Sequence, residues 1–193
     1  MARRVLILQA HPDAGGGHFG DALAERYAGG AEGAGHAVEW LTLNRLDFPL
    51  LAGATQWREE PAPEAIAGAQ AAIERSGHLV FLYPLWMGDM PALLKGFLEQ
   101  AMRPGFAFAE LEGRMPEKKL AGRSARLIVT MGMPALMYRG FYRAHSVKSF
   151  RRNILHFAGI RPVRTSLIGL VEGPAAHRRK WLARIEALGA AAR

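Results

Sequence analysis

A glycine-rich turn, His11 to Gly17, is the first segment whose residues can bind a small molecule. It follows the apolar run Val5 to Leu8, which has the pattern of a short buried strand, and it precedes a helical pattern. Glycines between a strand and a helix expose backbone N–H groups at the helix N-terminus, where they can bind a phosphate, and His11 can add a donor. The turn lacks the Gly-Lys-Ser/Thr ending of a P-loop and the GxGxxG spacing of dinucleotide sites. A flexible loop is therefore the alternative.

An aromatic segment, Tyr83 to Pro91, is the second candidate. It holds Trp86 and two methionines between two prolines, at the end of an apolar run that predicts a strand. Such a segment can form a wall for a flat aromatic ligand. The alternative is a hydrophobic loop that packs on the core.

The third candidate is the segment Thr130 to Pro134, which also follows a predicted strand. It offers backbone donors, and Tyr138, Tyr142 and His145 come soon after it with phenol and imidazole groups. Ordinary surface hydrogen bonding is the alternative for these side chains.

Alternating apolar patterns predict the elements that position the three segments. Strands are predicted at residues 5–8, 37–43, 78–83, 126–130 and 163–171. Helices are predicted at 21–27, closing near Gly33 or Gly35, at 64–75 and 91–102, at 147–157 with Gly159 as its cap, and around 181–188. Five strands alternating with five helices predict an α/β fold with a parallel sheet covered on both faces. In such sheets ligands bind outside the carboxyl ends of the strands, where all three segments lie. No repeat or linker is visible, so one domain over residues 1–193 is expected.

Composition excludes several classes of protein. The 193 residues are 50% hydrophobic and 22% charged, which is a globular balance and not that of a disordered chain. The absence of cysteine excludes disulfides, thiolate catalysis and cysteine metal sites, and no metal site is predicted. No apolar run approaches the ~20 residues that span a bilayer, and the start is too short for a signal peptide. A cytoplasmic protein is expected.

The net charge of +8 comes from one stretch of the chain. Residues 118–171 contain eleven Lys and Arg and no acidic residue. Such a stretch can bind nucleic acid, a membrane surface or a phosphorylated small molecule, or it can be a solvated basic face. Because no zinc spacing, RNP-like motif or heptad repeat is present, no nucleic-acid partner is predicted.

Taken together, these segments resemble the flavodoxin-fold NAD(P)H:quinone oxidoreductases over residues 5–173. The family pattern is close to P-L-x-W-x-x-x-P-A-x-L-K-G-W, ending in G-F-A-Y. The matching residues are Pro84-Leu85-Trp86, Pro91-Ala92-Leu93-Leu94-Lys95-Gly96-Phe97 and Gly105-Phe106-Ala107-Phe108, supported by His11-Pro12, Thr130-x-Gly132 and Asn153 to Gly159. The resemblance implies a three-layer flavodoxin-like fold with a five-stranded parallel sheet.

The chain departs from the family pattern at several positions. Gly17 and Gly20 stand where the family usually has serine and asparagine, so a side-chain hydroxyl to the flavin phosphate is lost. Trp86 comes one place early, with Met87 at the usual tryptophan position, and Met133 replaces a glycine. Tyr138 keeps the register of a substrate-pocket tyrosine, whereas the partner histidine of the family aligns with Ala144, one residue before His145.

By resemblance, the implied activity is two-electron reduction of a quinone or similar aromatic acceptor by NAD(P)H, with ping-pong kinetics, through bound FMN or FAD. FMN is favoured because the short tail after Trp181 leaves little to cover an adenine. The family also implies a homodimer with the site at its interface. The implied cofactor-binding residues are His11, Gly16, Gly17, His18, Phe19, Pro84, Leu85, Trp86, Met87, Thr130, Met131, Gly132 and Met133. Tyr138 and His145 are the implied catalytic residues, since a phenol or imidazole can stabilise or protonate the oxygen of a reduced quinone.

Three other functions remain open at this point. An electron-carrying flavodoxin is disfavoured because such proteins are typically acidic, whereas this chain has a pI of about 10.4. A flavin-binding regulatory subunit of a membrane transporter is possible because the family includes ancillary proteins of potassium-efflux transporters. An azoreductase-like enzyme is the third.

Overall fold

The computed structural model describes residues 2–111 and 113–193. Its strands are β1 Arg4–Gln9, β2 Ala37–Thr42, β3 His78–Pro84, β4 Phe108–Ala109, β5 Glu117–Lys118, β6 Ser124–Thr130 and β7 Val163–Ile168. Five of them form a parallel sheet in the order β2-β1-β3-β6-β7, and β4 and β5 form a small antiparallel pair. This order is the doubly wound order of flavodoxin-like folds, so the predicted fold class is confirmed.

The helices lie on both faces of the sheet. They are α1 Phe19–Gly33, α2 Ala54–Arg58, α3 Glu64–Glu74, α4 Ala92–Ala101, α5 Ala135–Gly140, α6 His145–Ser149, α7 His156–Ala158 and α8 Ala175–Ala190, with a short 3-10 helix at Leu43–Arg45. One core lies between the sheet and α1 and α8, and a larger core lies between the sheet and the helices of the other face. Strands buried on both faces need no polar alternation, which is why β1, β3 and β6 are continuous apolar runs.

Most predicted elements are confirmed to within a few residues, but the fifth strand is shorter than predicted. The pattern predicted 163–171, and β7 ends at Ile168. Gly169 lies so close to the start of α5 that a Cβ on it would be 2.4 Å from the backbone nitrogen of Ala135. Leu170 then adopts a left-handed φ of 55°, which turns the chain out of the sheet.

The helix predicted over 147–157 is present with an irregular centre. Residues Phe150–Leu155 form a π-helical stretch between α6 and α7, a feature that apolar spacing does not reveal. Gly159 ends the helix with a φ of 100°, as expected for a glycine C-cap. The short helices α2 and α5 were not predicted.

A buried polar network lies at the opposite end of the sheet from the three segments. His78, the first residue of β3, is bonded through Nε2 to the hydroxyl of Tyr27 at 2.9 Å and through Nδ1 to the hydroxyl of Ser124 at 2.8 Å. Burial, together with the positive charge of Arg126, lowers the pKa of His78 to about 3. The network therefore holds a neutral imidazole.

Within residues 2–111 and 113–193, no helix combines the length and the apolar character needed to cross a membrane.

Candidate functional site

The three predicted segments meet at one edge of the sheet, because β1, β3 and β6 are neighbours in it. The backbone N–H of Leu85, after β3, donates to the carbonyl of Thr130, at the end of β6, at 2.8 Å. The ring of His11, after β1, contacts the ring of Trp86 edge to face with 5.8 Å between centroids. Side chain and backbone thus join the three segments into one site.

The glycine-rich turn is held in its shape by two carboxylates. Asp13 Oδ1 accepts from the N–H of Gly15 at 2.8 Å, and Asp21 Oδ2 accepts from the N–H of His18 at 2.9 Å. Gly16 and Gly17 have φ of 72° and 76°, which residues other than glycine rarely adopt. In the described part of the chain, the N–H groups of these two glycines have no protein acceptor. They are therefore free to bind an anion at the start of α1.

His11 is neutral and keeps a donor for a ligand. Its Nδ1 accepts from the N–H of Asp13 at 3.2 Å, so the ring proton lies on Nε2. Partial burial, and secondly the neighbouring His18, lower the pKa of His11. The pKa of Asp13 is lowered by its bond from the Gly15 N–H and next by His18, whose Nε2 lies 2.9 Å from Asp13 Oδ2.

Three polar side chains that brace this turn were missed by the sequence analysis. Asn44 Nδ2 donates to the carbonyls of His11 and Asp13 at 2.9 and 3.0 Å, and Gln9 donates to Asp21. Asn44 follows β2 almost directly, so its place at the carboxyl edge of the sheet was a signal that could have found it. Gln9 and Asp21 gave no such signal.

The aromatic segment exposes the side chains of Trp86 and Met87, while Tyr83 at its start is buried. Trp86 and Asp89 exchange backbone hydrogen bonds of 2.9 Å, and Met87 and Gly88 between them have φ of 49° and 80°. Positive φ at both central residues is the geometry of a type I′ turn. Trp86 is 47% exposed and Met87 is fully exposed, whereas Leu85 packs on the core. The predicted wall is therefore available to a ligand at Trp86 and Met87, and the alternative of a core-packed loop applies to Leu85.

The segment after β6 offers fewer donors than predicted. The N–H of Met131 donates to the carbonyl of Ile168 at 2.9 Å, and the side chains of Met131 and Thr130 are buried. Gly132 is exposed, and open space surrounds the position of a Cβ there. Among the described residues, only the N–H groups of Gly132 and Met133 in this segment lack an acceptor.

Tyr138 and His145 do not lie where the sequence analysis expected them. Tyr138 lies on α5 and not in a loop, it is 0% exposed, and its hydroxyl is 2.6 Å from the hydroxyl of Ser146. This packing does not support its predicted contact with an acceptor. His145 is exposed and bonds the carbonyl of Tyr142 through Nδ1 at 2.8 Å, but it lines a separate cavity of about 370 Å³ with Lys148 and Arg152.

One cavity lies beside the glycine-rich turn, and a second is lined by none of the residues of the three segments. The first, of about 420 Å³, adjoins the glycine-rich turn on the β2 side and is lined by Asp13, Asp21 and Glu25 as well as Arg45. The second, of about 560 Å³, is apolar and lies between α4, the β4 region and the helix of residues 145–158. Its walls include parts of the Gly105–Phe108 and Asn153–Gly159 motifs, and the sequence pattern does not predict a cavity there.

The family model of the flavodoxin-like fold matches residues 3–189. The chain belongs to this family. A solved NAD(P)H:quinone oxidoreductase from Methanothermobacter marburgensis has a TM-score of 0.84 to this chain at 27% identity, covering 98% of both chains. The predicted resemblance is therefore confirmed.

Two further relatives differ in what their names say of them. An FMN-dependent NADH-azoreductase from Bacillus anthracis, solved with FMN, has a TM-score of 0.75 over 97% of this chain and 98% of its own, and at 15% identity it shows the fold alone. A ribosyldihydronicotinamide dehydrogenase [quinone] from Pongo abelii is 28% identical over 110 residues, which is 54% of this chain and 47% of that protein. The chain spans about half the length of the first curated relatives that it matches.

Proposed function

We propose that this protein is a flavin-dependent NAD(P)H dehydrogenase that reduces quinones or related aromatic acceptors. The observation that carries the proposal is the position of His11 in the glycine-rich turn, where its ring stacks on His18 and contacts Trp86 edge to face. A phosphate site and an aromatic wall are thereby joined at the carboxyl edge of the sheet, where flavodoxin-like folds bind FMN. The relative from Methanothermobacter marburgensis supports the donor and acceptor classes by its name.

The residues of the turn fit a flavin phosphate. The free N–H groups of Gly16 and Gly17 lie before α1, a helix of 15 residues whose N-terminus carries partial positive charge. Neutral His11 adds its Nε2–H, and His18 N–H is unavailable because Asp21 accepts it. Backbone donors thus take the place of the hydroxyl that Gly17 lacks.

The aromatic and third segments fit the ring of a flavin. Trp86 and Met87 offer exposed apolar surface on one side, and the N–H groups of Gly132 and Met133 offer donors for a ring edge on which negative charge develops. When bound, a flavin takes two electrons from a nicotinamide donor and passes them to an acceptor. The chain supplies the orientation of the ring and the donors at its edge. We infer FMN as the flavin, as in the Bacillus anthracis structure of the same fold.

His145 is the better candidate of the two predicted catalytic residues. It is exposed, and because its Nδ1–H is bonded to the carbonyl of Tyr142, its Nε2 can accept a hydrogen bond from a ligand that reaches the separate cavity it lines. Tyr138 instead has a structural role, because its hydroxyl bonds Ser146 and so holds the first turn of α6 against α5.

We also propose that two copies of the chain associate through the apolar cavity. Phe157 lines it and is partly exposed, and the exposed Leu111 and Met115 are the sequence neighbours of its lining residues Glu110 and Pro116. Apolar patches of this kind on a protein surface mark interaction sites. Sedimentation velocity tests this: a monomer at micromolar concentration contradicts the homodimer.

Reconstitution followed by half-reaction kinetics tests the proposed function. The protein is titrated with FMN and with FAD, and saturable quenching of flavin fluorescence near one per chain is expected, with FMN tighter. The loaded protein is then reduced by NADPH or NADH and reoxidised by a soluble quinone or by an azo dye in separate stopped-flow experiments. Faster reoxidation by the azo dye favours the azoreductase alternative. Absence of saturable binding of either flavin contradicts the proposal.

A further inference from the structure

A basic groove follows the open edge of the sheet, outside the site described above. We give this name to the cavity of about 640 Å³ that extends along β7 between α5 and α6 on one side and α8 on the other. Five cationic side chains line it, and none of its lining residues within the described ranges 2–111 and 113–193 is acidic. They are Arg139, Arg143, Lys148, Arg151 and Arg184.

These five cations have no ion-pair partner among residues 2–111 and 113–193. Four of them come from residues 139–151 and the fifth, Arg184, comes from α8, so the fold brings two parts of the chain together around one cavity. Like charges that share a cavity repel one another, and a bound polyanion relieves that repulsion. The groove is therefore complementary to a ligand that carries several negative charges.

The floor of the groove is the free edge of β7. Ala125 N–H donates to the carbonyl of Pro162, and Met131 N–H donates to the carbonyl of Ile168, both at 2.9 Å. Since backbone groups alternate sides along a parallel strand, those of Thr165 and Leu167 face away from β6. Thr165 and Leu167 both line the groove, so it offers backbone donors and acceptors as well as the Thr165 hydroxyl. A ligand with both phosphates and ribose hydroxyls needs cations and N–H donors for its phosphate oxygens, and donors and acceptors for its hydroxyls.

The groove adjoins the proposed flavin site. Ala135 and Leu136, at one end of the groove, come directly after the segment Thr130 to Pro134, whose free N–H groups face the ring edge in the proposed function. One extended ligand can therefore place a flat ring at that segment and its charged part in the groove. Trp181, with the Arg184 guanidinium 5.0 Å above its ring, adds an aromatic surface to the groove.

We propose that the basic groove binds the phosphates of the dinucleotide donor. This rests on the proposed function and specifies its donor. A dihydronicotinamide riboside, the kind of donor named for the Pongo abelii relative, carries no phosphate and has nothing to place in the groove. The groove thus distinguishes a phosphorylated donor from an unphosphorylated one.

Direct binding tests the groove without turnover. The probe is 2′-phospho-ADP-ribose, which is NADPH without its nicotinamide, titrated by calorimetry into the flavin-loaded protein. We expect saturable binding that weakens by at least about tenfold in the Arg139→Glu, Arg151→Glu double variant. The matched control is Arg179→Glu together with Lys180→Glu, exposed positions of α8 that do not line the groove. It makes the same change in net charge, and binding within about twofold of the unchanged protein is expected at 0.15 M salt.

Donor kinetics provide the second arm. The ratio of flavin reduction rates with NADPH and with dihydronicotinamide riboside falls at least about tenfold in the groove variant. Absence of probe binding, or an equal loss in the control variant, overturns the groove. If the groove is overturned in this way but the riboside still reduces the flavin, the proposed function is not contradicted. If the protein binds the probe but neither donor reduces its flavin, the proposed function is contradicted while the phosphate site in the groove is supported.

Discussion

The imidazole rings of His11 and His18 stack with 3.8 Å between their centroids and 17° between their planes. Each ring is also anchored at the turn, His11 by the Asp13 N–H and His18 by the Asp13 carboxylate. Asp13 therefore fixes both rings, and the rings fix the face of the turn that meets Trp86. A binding site that is ordered before its ligand arrives loses less entropy on binding.

Replacing His11 separates its hydrogen bond from its stacking. His11→Ala should weaken flavin binding by about 1–3 kcal/mol, because the donor to the phosphate and the stack on His18 are both removed. His11→Phe keeps an aromatic ring and should lose only the part due to the donor. Fluorescence titration with FMN measures both constants. If His11→Ala binds FMN as tightly as the unchanged protein, the phosphate does not lie at His11.

Gly17 has a matched control in Gly35. Both have strongly positive φ, 76° and 80°, and among the described residues no heavy atom beyond their chain neighbours lies within 4 Å of a Cβ placed at either position. Alanine at either position should therefore cost a similar 1 kcal/mol or so of folding stability, measured by urea unfolding of the flavin-free protein. Only Gly17→Ala, and more strongly Gly17→Val, should also weaken FMN binding, because Gly35 lies at the far end of α1. Equal flavin affinity in the Gly17 and Gly35 variants would remove the turn from the cofactor site.

Sequence patterns predicted the sheet well because its central strands are buried on both faces. Val5 to Leu8 has no other stable environment than such a strand, and its carboxyl end locates the site. The position of Tyr138 was not predictable in this way. It depends on the six-residue helix α5, which is too short to show a period. It also depends on its partner Ser146, which follows the left-handed backbone of Arg143 and Ala144. Positive φ at residues other than glycine leaves no mark in a sequence.

Tyr138→Phe tests whether the tyrosine is structural. Loss of the bond to Ser146 in the core should lower the free energy of unfolding by about 1 kcal/mol, with flavin content unchanged. Reoxidation of the reduced flavin by quinone should keep its rate, since the hydroxyl is buried. Ser146→Ala is the matched variant, and it should lower stability by a similar amount. Slow reoxidation in Tyr138→Phe but not in Ser146→Ala would restore the phenol to the mechanism.

His78 should make the fold sensitive to mild acid. Its pKa is about 3 in the folded protein and 6.5 as the ordinary value, because burial disfavours the charged ring. As the pH falls below 6.5, the unfolded chain therefore binds a proton that the folded chain does not, and folding stability decreases. The contribution approaches about 1.4 kcal/mol per pH unit and continues until the pH nears the folded pKa. Between pH 6.5 and 5, where few carboxylates titrate, urea unfolding should show this slope.

His78→Gln removes the titrating ring from the buried network. The pH dependence of its free energy of unfolding should therefore be flatter, by the equivalent of close to one bound proton. The variant is also less stable at pH 7.5 if the amide cannot bond both Tyr27 and Ser124. His145→Gln, an exposed histidine outside the network, is the control. If the two variants show the same pH slope, His78 does not titrate differently in the folded and unfolded chains, and the acid sensitivity must come from other groups.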